Sequence, residues 1–193
     1  MAEEEELEKA TESEDKTVAL LIAVLALFLA LAEAGGKNAE HSSTEHNIEA
    51  SDLYNYYQAK RIRSTVVETA TQQLEANVDG ITDEKTKGAV EKQIDDWKAQ
   101  VARYEKDPKH PEDSMDAILE RAKDATERRE KSNQKLDHFE YASGALQIAI
   151  VLASASIITG VAILAWISGI LGIIGAVLMG FGYLAPTVLP FFS

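Results

Sequence analysis

The sequence predicts an all-α membrane protein with three transmembrane helices and a helical, coiled-coil-like extramembrane stalk. The third stalk helix is expected to be continuous with the second transmembrane helix. Three observations lead there. Apolar residues are concentrated at 17–34, 141–166 and 168–192, while the intervening hundred or so residues are strongly polar. The polar part carries seams of residues spaced three and four apart, the pattern of helices packed along helices. No Gly or Pro interrupts the chain between Pro111 and Gly144, so the last seam runs straight into an apolar segment.

The chain has 193 residues and a formal net charge of −13. A phosphate-binding surface needs an excess of Lys and Arg, so this balance argues against nucleic acid as a partner. The absence of cysteine excludes a disulfide framework, thiolate catalysis and Cys-ligated metals. Residues 1–16 hold eight acids against Lys9 and Lys16, a self-repelling run expected to be a disordered tail or a frayed helix.

Thr17 to Ala34 is almost wholly Ala, Leu, Val, Ile and Phe, at the short end of the length needed to span a bilayer. Ala30, Ala32 and Ala34 would suit a signal peptidase, but the basic n-region is missing, so an uncleaved anchor is the preferred reading. Ala19, Ala23, Ala26 and Ala30 form a small-residue stripe along which another membrane helix can approach closely.

Beyond Gly35-Gly36 the sequence predicts a stalk over 35–140, with helices at about 48–79, 82–107 and 111–140. The first of these carries a drifting apolar stripe of Leu53, Tyr56, Tyr57, Ile62, Val66, Ala70, Leu74 and Val78. Asp79-Gly80 reads as a stop and Thr82 as the next N-cap. Val90, Ile94, Trp97, Val101 and Tyr104 give the second helix a heptad seam, ended by the Pro108–Pro111 turn. Met115, Ile118, Ala122, Ala125, Arg129, Ser132, Leu136 and Phe139 give the third its seam. Short connections predict antiparallel neighbours.

From Tyr141 charge stops, and no breaker is expected before Ser168-Gly169, where the chain should turn into the last span. There Ser168, Gly172, Ala176 and Gly180 recur every four residues, a second close-packing face. Pro186 and Pro190 mark a frayed end. Charge evidence on orientation conflicts. Lys9 and Lys16 favour a cytoplasmic N-terminus, whereas Arg128, Arg129, Lys131 and Lys135 ahead of the second span favour a cytoplasmic stalk. The first helix usually dominates, so the expectation is an N-terminus inside and a stalk outside the cytoplasm.

The run Asn47-Ile48-Glu49-Ala50-Ser51-Asp52-Leu53-Tyr54-Asn55-Tyr56-Tyr57-Gln58-Ala59-Lys60-Arg61-Ile62-Arg63 resembles the signature of an uncharacterised bacterial membrane family, classed as a domain of unknown function. That signature reads A-S-D-aromatic-x-x-Y-Q-A-K-x-I and follows a first membrane helix. A charged helical region and a membrane hairpin come after it. This chain departs from it with Leu53-Tyr54 in place of the usual aromatic, and with no basic residue between its last two spans. The resemblance implies an inner-membrane, multi-pass protein and brings no activity.

The same run is the best candidate interaction face. Tyr54, Tyr57 and Arg61 lie three or four apart and can bind an acidic group, while Asp52, Gln58 and Lys60 can form a polar network between subunits. The plainer reading is a bundle segment near the membrane, with rings at the lipid boundary. His41, His46, His110 and His138 have no metal-ligand spacing and are expected to be exposed. Gln147, Ser154, Ser156 and Thr159, within the second span, would bond across helices or line a pore. No nucleophile–base pair, metal cluster or cofactor fingerprint is present, so catalytic, cofactor and metal sites are all expected to be absent. The functional expectation is a non-enzymatic, homo-oligomeric membrane scaffold or accessory protein that presents its stalk to a protein partner. An oligomeric ion channel or pore is the alternative.

Overall fold

The computed structural model describes residues 2–185, with side chains from Lys16 onward. Among the described residues the chain is all helical: α1 (Ala2–Val78), α2 (Glu84–Glu105), a 3-10 turn (Pro111–Asp113), α3 (Met115–Thr159) and α4 (Ala162–Leu184). They form two compact units. One joins the residues up to Thr44 to those from Arg129 onward, and the other is Glu45–Arg128. Both α1 and α3 contribute to each. Three helices, those containing Lys16–Val78, Met115–Thr159 and Ala162–Leu184, are long and apolar enough to cross a membrane.

The first difference from expectation is α1. A break was expected after Ala34, yet helix runs unbroken from the acidic N-terminal stretch to Val78. Gly35 and Gly36 do not punctuate it, because they serve packing. A Cβ built on Gly35 would lie 2.6 Å from the Phe139 ring, and one on Gly36 3.5 Å from the Phe139 Cβ. Glycine costs a helix about 1 kcal/mol relative to alanine. Burying Phe139, which is only 3% exposed, offsets that cost.

In the unit holding Phe139, α1, α3 and α4 pack around Leu25, Ala32, Ala142, Leu146 and Ala149, with Phe28, Leu171 and Leu178 against them. Ser43 on α1 donates to Asn133 on α3 at 2.5 Å, and Leu25 lies beside Gly172 of α4. Contacts that climb α1 descend α3, so the two are antiparallel. The second difference is where α3 turns into α4. The expected turn at Ser168-Gly169 falls instead at Gly160, whose φ of 70° is the single positive value among the described residues. A glycine in this left-handed conformation is a common helix terminator. Its N–H donates to the Ser156 carbonyl at 2.9 Å, and Ser156 Oγ donates to the Val161 carbonyl at 3.2 Å. Ser168 is buried inside α4 and donates to the Ala149 carbonyl at 2.7 Å. Pro186, Pro190 and the rest of the expected last span lie outside the described residues.

In the other unit, α2 folds back on α1 through the expected Asp79-Gly80 turn, with Lys98 on Glu75 at 2.5 Å. That contact, with a coulombic contribution from Asp95, raises the Lys98 ammonium above its ordinary value. The Pro108–Pro111 segment was expected to reverse the chain again, and it does not. Partners along α1 proceed in one direction, from Lys87 at Asp79 through Lys98 at Glu75 to Asp113 at Lys60 and Ile118 beside Leu53. The helices α2 and α3 therefore follow each other along one side of α1. The short joint resets the helix without a reversal because Pro111 opens a 3-10 turn and Ser114 then caps α3, accepting from the Ala117 N–H at 3.3 Å.

The N-cap of α2 is Asp83, one residue beyond the expected Thr82. Its carboxylate accepts from both Oγ1 and N–H of Thr86, at 2.6 and 2.9 Å, which holds it below the usual aspartate value of 3.8. Asp83→Ala should therefore speed amide hydrogen exchange over residues 84–87. Because the folded value is depressed, this stabilisation is complete above about pH 3.8 and lost as pH falls through the lower folded value, so the two proteins should exchange alike in strong acid. A second test concerns packing. At Gly175 an added Cβ would sit 2.7 Å from Leu146 Cγ and 3.2 Å from the Ala142 carbonyl, whereas at Gly169 it meets nothing. Thermal unfolding should show Gly175→Ala destabilised by about 1–3 kcal/mol. Gly169→Ala should be unchanged or up to about 1 kcal/mol more stable.

Candidate functional site

The Ser51–Arg63 run lies on α1 within the Glu45–Arg128 unit. Ala50, Leu53, Tyr57, Lys60 and Ser64 alternate three and four apart and face inward, and Ala50 and Leu53 pack with Ile118, Ala122 and Ala125 of α3. The alanines of α3 are fully buried, which brings the two backbones close.

This splits the six residues of the expected face. Tyr54 and Tyr57 are half-buried against the α1–α3 core, and Lys60 is 9% exposed. The Lys60 ammonium donates to the main-chain carbonyl of Asp113, at the end of the 3-10 turn, and lies 5.2 Å from the centre of the Tyr56 ring. A carbonyl dipole and a π face thus solvate the charge while the aliphatic stem fills the seam. Asp52, Gln58 and Arg61 are exposed, and Arg61 Nη1 donates to the Tyr57 hydroxyl at 3.4 Å. Lys60 therefore holds the α2–α3 joint onto α1. Nearby, Arg128 grips Glu49 with both oxygens at 3.0–3.1 Å, and His46 lies 3.7 Å from the same carboxylate.

The outer side of α1 is different. Ile62 and Val66, placed by their spacing on the packing stripe, are 63% and 62% exposed, and Tyr56 is 41% exposed. With Arg61, Thr65 and Thr69, Ile62 and Val66 line an open trough of about 690 Å³. A smaller trough, about 510 Å³, lies between Asp52, Ile48 and Arg121. The expected stripe took Ile62 and Val66 as packing residues, whereas polar Lys60, Ser64 and Thr71 occupy the buried positions instead. Strict seven-residue counting back from Leu53 to Ala32 and forward to Leu74 would have exposed the true seam.

Of the four histidines, His41 and His110 are exposed and His46 half-buried. His138 is a correction: it is 5% exposed, because α4 lays Gly182 over it and a third helix covers the seam there. Among the described residues, no group of three or more His, Cys, Asp or Glu could hold a metal ion. In the apolar unit, Ser168 and Gly172 are buried and Ala176 and Gly180 half-buried, while Ala19, Ala23, Ala26 and Ala30 are all exposed. The α4 face is thus spent within the chain and the α1 stripe is left open.

A family model described as a domain of unknown function, DUF4337, matches residues 14–185. The chain belongs to the DUF4337 family. No curated protein and no solved structure matches it. Membership agrees with the expected domain-of-unknown-function family, and it carries no chemistry with it.

Removing the Lys60 amine leaves the Asp113 carbonyl without its donor and a gap in the seam. Lys60→Ala should lower stability by about 1–3 kcal/mol in denaturant unfolding and speed hydrogen exchange over residues 111–118. Lys60→Met, which keeps the stem, should lose less.

Proposed function

We propose that this DUF4337 protein is a membrane-embedded, homo-oligomeric scaffold or accessory protein whose polar helical unit docks a protein partner. The reading rests on the outer face of α1, where Ile62 and Val66, one helical turn apart, are 63% and 62% exposed in the polar unit. Exposed apolar side chains in a row along a helix are what a partner helix or groove recognises. Arg61 at the edge of the trough adds a cation for an acidic residue of the partner.

Insertion in the membrane is supported by the surface of the apolar helices. Only 17%, 28% and 22% of the residues in their most apolar stretches are buried within the chain. Ile158, Ile173 and Leu184 are 85%, 67% and 87% exposed. Water is a poor solvent for such a surface and hydrocarbon a good one. The 23 residues of α4 rise about 35 Å, enough for the ~30 Å core. Trp166 and Tyr183, both exposed, are about 25 Å apart along it, as interfacial aromatics would be. We place the protein in a bacterial inner membrane with its N-terminus in the cytoplasm. The Gly160 turn then faces the cytoplasm too, since α1 enters at the end where α3 leaves, and the polar unit lies in the periplasm.

The pore alternative has less behind it. Ser154, Ser156, Thr159 and Ser168 each donate to a carbonyl of their own chain, which leaves Gln147 alone of the four polar residues named for the second span to face a channel.

Ile62→Glu combined with Val66→Glu should abolish co-purification of partner proteins from native membranes while leaving helix content and subunit number unchanged. Retention of the same partners by the double variant would remove this face from consideration. Ion flux from purified protein in liposomes would favour the pore.

A further inference from the structure

Gln147 is the unusual residue of the apolar unit. It lies on α3 one turn and a half beyond Tyr141, roughly 9 Å along the helix, and it is exposed. The other polar side chains from there to the end of α3 are satisfied by their own helix or its turn: Ser154 on Ile150, Ser156 on Val161, Thr159 on Ala155. Among the described residues, the carboxamide of Gln147 makes no hydrogen bond. It offers two donors and an acceptor to a medium that, in the membrane reading, provides neither.

We propose that α3 pairs with α3 of a second copy of this chain, and that the two Gln147 amides hydrogen-bond across the interface. This rests on the membrane reading above and adds the partner and the surface. Three features single out a second copy as the occupant. A carboxamide is self-complementary, so its best partner is another carboxamide. Copies inserted in the same orientation bring equivalent residues to the same depth, where each Gln147 meets its counterpart. The surface around it also has the pattern of a helix seam: Gly144, Gln147, Val151, Ser154 and Ile158 alternate three and four apart. A Cβ on Gly144 would meet nothing within 4 Å, which leaves room for a neighbouring backbone, and Val151 and Ile158 are 65% and 85% exposed. One polar pair in an apolar seam sets register, the role best attested for a buried amide between paired helices.

The chain has no cysteine, so single-cysteine variants of the full-length protein map the interface directly in native membranes. Val151→Cys and Ile158→Cys should form disulfide-linked dimers on mild oxidation. Ile148→Cys, about 100° around the helix from Gln147 and 57% exposed, should not. Gln147→Leu should weaken dimerisation in lipid roughly three- to twentyfold, and Gln147→Asn should restore part of it. Equal cross-linking at Ile148 and Val151, or unchanged association of Gln147→Leu, would overturn the proposal. Cross-links through Ala23→Cys in place of α3 would overturn it while keeping the oligomer. Release of the protein from membranes by alkaline carbonate would overturn the membrane reading itself.

Discussion

One helix supplies a packing surface to every other, and it does so on a fixed count. Leu25, Ala32, Ala39, His46, Leu53, Lys60, Val67 and Leu74 follow one another at intervals of seven along α1, and each is buried or half-buried. Seven residues fall just short of two turns, so a row of this kind stays against a partner only where that partner follows its slow drift. In the apolar unit the partners are α3 and α4; in the polar unit they are α2 and then α3. The other described helices fold back on α1.

What the row contains decides how closely each partner can come. In the apolar unit Ala32 and Ala39 stand in it with Gly35 and Gly36 between them, and large side chains from the facing helices fill the space. The Phe139 ring lies over Gly35 and against Gly182, and meets the Tyr183 ring edge-on with centroids 4.9 Å apart. In the polar unit Lys60 stands in the row with Ser64 and Thr71 buried beside it, groups that must be satisfied locally. Thr71 bonds its own helix at Val67, and Lys60 reaches the Asp113 carbonyl. The joint between α2 and α3 sits at the one place on α1 where a long cation is available to receive it.

The same division explains where function is to be sought. A unit only two helices thick has little interior in which to hold a substrate. Its exposed rows of side chains, Ile62 and Val66 among them, lie on its outside. The apolar unit likewise leaves two of its surfaces unused, the alanine stripe of α1 and the Gln147 row of α3, while the glycine face of α4 is consumed internally.

The seams of α2 and α3 were legible from residue spacing, because at those positions small or apolar residues stand among charges and no second pattern competes. Every one of Met115, Ile118, Ala122, Ala125, Arg129, Ser132, Leu136 and Phe139 is buried or half-buried. The continuity of α3 into its apolar half was legible for the same reason. Three features needed the tertiary structure. Whether Gly35-Gly36 or Gly160 breaks a helix depends on what approaches each glycine, an aromatic ring in the first case and nothing in the second. Which of α1's two rows faces inward depends on where α2 and α3 lie, and they cover the one that carries Lys60, Ser64 and Thr71. His138 is buried only because α4 returns over it. Composition and period determine that a segment is helical and which faces are possible; the neighbour that arrives from elsewhere in the chain determines which face is used, since only contact can favour burying Lys60 over Ile62.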